Sequence, residues 1–289
     1  MKHLQFLIII VLITACSGSK SVVNKNPNSH SRKTTEPVAP LTNKPIALKN
    51  TQNTPKSETT DVLVKKSETT PNSTPEALNH DLWNELLKKH VTNEGNVSYV
   101  GFMEDRKMLS NYISYLGENL PDHTWDVNKT FAYWINTYNA MTIDLILRHY
   151  PIQSIKDIKK PWDQRYWKLG KKWYNLNEIE HDILRKMNEP RIHFAIVCAS
   201  YSCPKLQNEA FTSLNLNQQL TKATQEFLSD SSKNNISENS LELSKIFQWF
   251  AKDFKQNGSL IDFLNQYSEV NISVNAKKHF NEYDWSLNH

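Results

Sequence analysis

"NKTFAYWINTYNAMTIDLILRHYP", residues 128–151, is the longest apolar segment of the chain outside its N-terminus. Wound at 3.6 residues per turn, its aromatic and aliphatic residues nearly encircle the helix, which runs from an Asn128 cap to a stop at Pro151. A helix apolar on all sides is covered on all sides, so the neighbouring segments must pack around it. On its N-terminal side, "DLWNELLKKHV" (81–91) carries Leu82, Leu86 and Leu87 at helical spacing behind an Asp. "NEGNVSYVGF" (93–102) turns into a short extended piece. "RKMLSNYISYLGENL" (106–120) sets Leu109, Ile113 and Leu116 on one face. On its C-terminal side, "SIKDI" (154–158) and the Trp/Lys-rich 162–173 stretch predict a loop and a hairpin. "NLNEIEHDILRKM" (175–187) predicts a helix ending before Pro190, and "IHFAIVCA" (192–199) a buried strand. Pro204 suits the first turn of a following helix. "LNLNQQLTKATQEFL" (214–228) is amphipathic, "NISENSLELSKIF" (235–247) reads as a hairpin or strand, and "FQWFAKDFKQ" and "LIDFLNQY" add helix. The expected class is α+β: a single domain over 79–289, helix-rich with a small antiparallel sheet.

The first 78 residues read differently. "MKHLQFLIIIVLITACSGSK" has a positive charge at Lys2, an apolar run from Leu4 to Ile13 and small residues before Cys16, the pattern of a signal peptide over 1–15. "ITAC" resembles the bacterial lipoprotein cleavage box, which implies that Cys16 becomes the first mature residue and carries fatty acyl chains such as palmitate. Two or more chains hold a protein stably on a membrane. Ser17 after the cysteine implies the outer membrane of the cell envelope. Residues 16–78 are Ser, Thr, Asn, Pro and Lys without an aromatic, so they cannot bury enough surface to offset chain entropy and read as a disordered tether. Through residue 78 there are ten Lys and Arg against five Asp and Glu, leaving 24 against 25 for the rest. The net +4 therefore belongs to leader and tether, and a nucleic-acid partner, which wants a basic face on the domain, loses its support. Six glycines in 289 residues leave no phosphate loop, and no H-E-x-x-H pattern is present; no cofactor is called for.

"YWINTYNAMTI", "LNEIEHDILR", "RIHFAIVCASYSCP", "LELSKIFQWFAKDF" and the closing "YDWSLN" together resemble the domain of unknown function 547 family, in order from about Leu82 to Asn288. That resemblance implies a fold similar to papain-like and transglutaminase-like thiol enzymes with the chain order rearranged. It implies a working group of Cys203 before Pro204, His193 of "RIHFA" and Glu180 of "EIEHD", with Glu178 and His181 beside the acid. The chemistry is coherent. A thiol at the start of a helix has its pKa lowered by the backbone dipole, a histidine can serve as base and then acid, and a carboxylate can fix the imidazole tautomer. The reaction expected is hydrolysis or acyl transfer at an amide, peptide-like or thioester bond.

Alternatives stand beside it. In one, Cys198 and Cys203 close a disulfide in an oxidising compartment, which makes the chain a non-catalytic envelope binding or scaffold lipoprotein; in another, Cys198 is an apolar filler. Cys198, Cys203, His181 and His193 supply four zinc-type ligands, but at none of the usual paired spacings. Asn136 and Asn139 on the central helix either tie it to neighbouring backbone or line the cleft as oxyanion donors. Arg185 and Arg191 are candidates to clamp a substrate carboxylate, or form ion pairs.

Overall fold

In the computed structural model, which describes residues 78–289, everything is arranged around α4, Val127–His149. Asp126, rather than Asn128, caps it by accepting from Lys129 N–H at 2.8 Å, and every residue from Phe131 to Leu147 is buried. The polar groups caught inside are satisfied: Thr137 and Thr142 donate to carbonyls one turn back, and Asp144 accepts from Arg148 Nε and Trp167 Nε1, both at 2.7 Å. No buried side-chain nitrogen or oxygen among the described residues lacks a partner. The signal peptide, Cys16 and the tether lie outside the described residues, and among the described residues no helix is long and apolar enough to cross a membrane.

Helices α1 (Asp81–His90), α2 (Tyr99–Glu104) and α3 (Arg106–Glu118) pack beside α4, with Trp83 stacked on Tyr112 at 5.8 Å between ring centres. The extended piece expected before residue 102 is reduced to a bridge between Val91 and Val97. Strands β1 (Trp167–Leu169) and β2 (Lys172–Tyr174) form the expected hairpin. Then come the single turn α5 (Leu176–Glu178), a π-helical turn Ile179–Ile183 and a 3-10 turn Leu184–Met187, where one regular helix was expected. Helix α6 (Leu216–Ser229) leads to β3 (Asn235–Ile236) and β4 (Ser240–Leu243). After α7 (Ile246–Trp249), a 3-10 turn Asp253–Lys255 and α8 (Leu260–Asn265), the chain ends with β5 (Lys277–Phe280) and an extended tail. The class is α+β, helix-rich with small sheets. The three-stranded sheet, in order β3-β4-β5, is mixed: β3 and β4 are antiparallel, whereas β5 joins β4 in parallel.

Two apolar clusters result. The larger surrounds α4; the smaller gathers Phe194, Phe227, Phe247, Phe254 and Phe263 with the β4 face and α8. Residues 190–199 run between them, and here the structure corrects the sequence reading. "IHFAIVCA" is not a strand: Pro190–Phe194 is a 3-10 turn and 195–199 is irregular. Its edge is instead paired with a side chain. Asn139 Nδ2 donates to Ala195 O at 2.9 Å and its Oδ1 accepts from Val197 N–H at 3.0 Å, doing for this segment what a neighbouring strand would do. Asn136 holds Phe211 in the same two-point way, at 2.8 and 3.0 Å. Both amides are thus committed to backbone.

Candidate functional site

A cleft of about 340 Å³ opens where the two clusters meet. Its lining brings together Cys198, Cys203, His193, His181 and Glu180, five residues singled out in the sequence; Asn136 and Asn139 are not among its walls. Cys203 is only 5 % exposed. It does not begin a helix: Pro204 lies in an irregular stretch and the next helix starts at Leu216, so the expected helix start at the thiol is absent. What holds the sulfur is a tight turn. Cys203 N–H donates to Ser200 O at 3.0 Å, and its Sγ accepts the Cys198 N–H at 2.9 Å. Between the two cysteines Ala199 adopts φ 57°, a left-handed conformation that costs a residue with a Cβ about 1–2 kcal/mol. The surroundings hold this strain. Tyr201 N–H donates to Ser286 O at 2.7 Å and Ser202 N–H to Asp284 O at 3.1 Å, so the C-terminal tail straps the turn down. On its other side the Gly95 turn, at φ 88°, lies so close to Lys205 that a Cβ would collide with it.

The thiols differ sharply. Burial pushes Cys203 up, but hydrogen bonds from Cys198 and Tyr283 and the Cys198 N–H outweigh it and hold the group down at about 7. Burial, together with the neighbouring Cys203, pushes Cys198 well above its ordinary value. Cys203 therefore ionises first. Both cysteines are free. Tyr283 Oη stands 3.2 Å from Cys198 Sγ and accepts from Ser200 Oγ at 3.1 Å, bringing a phenol of the tail into the cluster.

His193 is buried on the same cleft, its ring stacked on Phe250 at 3.9 Å. Its acid is Asp253, not Glu180: His193 Nε2 lies 2.8 Å from Asp253 Oδ2. Asp253 is fixed in turn by a two-point pair with Arg185, Nε to Oδ2 at 2.6 Å and Nη2 to Oδ1 at 2.9 Å. Burial raises the Asp253 carboxyl, but the hydrogen bonds from His193 and Arg185 prevail and hold it well below the usual carboxylate range. Burial lowers the His193 pKa against the pull of Asp253, so the imidazole rests neutral. Facing an ionised Asp253, that neutral ring carries its proton on Nε2 and leaves Nδ1 basic. Among the described residues no hydrogen bond joins Cys203 Sγ to either histidine.

Glu180, expected to orient the histidine, sits on the π-helical turn and accepts from Tyr138 Oη at 3.0 Å. A π turn swings a side chain off the regular helical face, which directs Glu180 into the cleft. Burial raises its pKa against the opposing pull of His181, the Tyr138 hydroxyl and Arg185. His181 Nδ1 is 2.9 Å from Arg185 Nη1, and Glu178 faces away, paired with Arg165 at 2.6 Å. Arg191 is likewise paired, with Glu189 at 2.6 Å. No three His, Cys, Asp or Glu side chains among the described residues are grouped closely enough to hold a metal ion, so the zinc set is not assembled.

The fold and cleft define an α+β domain with a thiol cluster, a carboxylate-held histidine and a buried protonatable acid on one wall. Residues 123–228 match the family model described as a protein of unknown function, DUF547. The match supports the family resemblance over less than half of the chain; it spans Glu180, His193, Cys198 and Cys203 but stops short of Asp253 and Tyr283. No curated protein and no solved structure matches the chain.

Proposed function

We propose that the protein is a thiol acyl-transfer enzyme of the cell envelope, anchored through an acylated Cys16, with Cys203 as nucleophile and the His193–Asp253 pair as proton carrier. The carrying observation is that one cleft holds a cysteine with a lowered pKa and a histidine fixed by a carboxylate. As the Cys203 sulfur attacks a carbonyl carbon its proton passes to the neutral His193, the resulting imidazolium returns that proton to the leaving amine or thiol as the C–N or C–S bond breaks, and an acyl-thioester remains. Water or an acceptor amine, deprotonated by the neutral histidine, then displaces the sulfur and restores the thiol. The Cys198 N–H, already bonded to the sulfur, is placed to meet the developing oxyanion.

The test is the pH dependence of iodoacetamide alkylation, with mass mapping of the labelled cysteine. Cys203 is expected to react first, with an apparent pKa well below the free-thiol value of about 8.5; His193→Ala and Asp253→Asn are expected to leave that pKa in place and to abolish turnover of acyl and peptide esters. Labelling only after reduction, an ordinary Cys203 pKa, or turnover that survives His193→Ala would leave the envelope binding or scaffold module, with Cys198 and Cys203 as structural residues, as the better account.

A further inference from the structure

Much of the cleft lining is aromatic. Trp249, Tyr283 and Trp285 form one packed group, with ring centres 4.5–5.7 Å apart, and Trp162 meets Trp285 edge-on at 5.9 Å. Ile246 and Phe250 continue the surface. These groups are not simply core: Trp249 is 46 % exposed, a large apolar area left open to water beside a reactive sulfur. From Trp162 the rim continues into Lys160, Asp163 and Asn177. Lys160 holds a left-handed backbone, φ 48°, and among the described residues neither Lys160 nor Asp163 forms an ion pair. A cation, an anion and an amide on one rim offer donors and acceptors without a net charge, which suits a chain of neutral amides and not a phosphate or polyanion.

We infer that the cleft selects a peptide-like acyl donor with a bulky, ring-bearing apolar side chain. The ring lies on the Trp162–Trp249–Tyr283–Trp285 wall, the carbonyl stands at the thiols, and the next amide meets the Lys160–Asp163–Asn177 rim. The inference rests on the acyl-transfer reading of the same cleft. A volume of about 340 Å³ is at the small end for ligand sites and admits one such residue with its flanking amides. Aromatic pairs prefer edge-to-face or offset contacts, and the half-open Trp249 leaves one partner position unfilled.

The experiment measures binding, not turnover, so it can fail independently of the thiol chemistry. Full-length Cys203→Ser protein is titrated in a calorimeter with N-acetyl-phenylalanine amide, N-acetyl-alanine amide and N-acetylglucosamine. The phenylalanine probe is expected to bind at least about tenfold more tightly than the alanine probe and the sugar not at all. Trp249→Ala, a change at a half-exposed position that spares the core, is expected to remove the preference, and Trp249→Phe to keep most of it. Equal affinity for the two amides, preference for the sugar, no binding of the phenylalanine probe, or a preference surviving Trp249→Ala each overturns the inference. The alkylation profile of the wild type decides the acyl-transfer reading separately.

Discussion

At the scale of single residues, the chemistry of Cys203 comes from donors gathered by a strained turn and not from a helix start. Each of those donors is separable. Tyr283 arrives from the tail, eighty residues on, and its hydroxyl stands among Cys198 and Ser200 while its ring packs against Trp249 and Trp285. Tyr283→Phe keeps the ring and removes only the oxygen. With one hydrogen bond to the charged form gone, the apparent pKa of Cys203 is expected to rise by about one pH unit, read from the same alkylation profile, while the thermal midpoint moves little. A profile identical to wild type would mean that Cys198 and Ser200 stabilise the thiolate without Tyr283. The strain at Ala199 belongs to the same design: the left-handed residue turns the chain back so that the Cys198 amide points at a sulfur five positions later.

At the scale of elements, α4 is both core and scaffold, because two amides on it replace missing strands. Asn139→Ala would orphan Ala195 O and Val197 N inside the protein, at a cost of about 3 kcal/mol, measured by urea unfolding; a loss under about 1 kcal/mol would show that water or another group fills the gap. The same residue explains what the sequence could and could not reveal. α1, α3 and α6 were legible because one-sided burial imposes a 3.6-residue repeat, and α4 because its length and all-round apolarity mark a helix covered on every side. "IHFAIVCA" misread as a strand because a continuous apolar run reports burial on both sides and says nothing about what satisfies the backbone. Once Asn139 serves as the pairing partner, extended geometry is unnecessary. The parallel β4–β5 pair was invisible for a related reason: it joins strands separated by all of α7 and α8. Of the site, His193, Cys198, Cys203 and Glu180 were legible as rare residues in dense blocks. Asp253 lies in the "FQWFAKDFKQ" stretch that read simply as helix, and an aspartate between Phe250 and Phe254 in so aromatic a run was the available signal. Its pairing with a histidine sixty residues earlier is set by tertiary packing alone.

At the scale of the whole molecule, the buried histidines link stability to pH. His80 sits against Tyr112, Nδ1 to Oη at 2.7 Å, and burial lowers its pKa from 6.5 to about 4. Between those values the unfolded chain binds a proton that the folded chain refuses, so stability falls as pH drops from 6.5 toward 4. A difference of that size corresponds to about 3 kcal/mol. His193, also lowered by burial, contributes with the same sign. Glu180 opposes them: its raised carboxyl takes up a proton more readily when folded, so it favours the folded state as the medium becomes acid. The depressed Asp253 acts in a lower window, its contribution being lost only once pH falls below the ordinary carboxylate value. His80→Gln isolates one term, because the amide can still bond the Tyr112 hydroxyl but does not titrate. Unfolding free energies from urea titrations at pH 7 and pH 4.5 are expected to separate widely in wild type and by about 2 kcal/mol less in the variant. If the two proteins lose stability in parallel, His80 is not the group that refuses the proton, and the acid sensitivity of the domain lies at the cleft with His193.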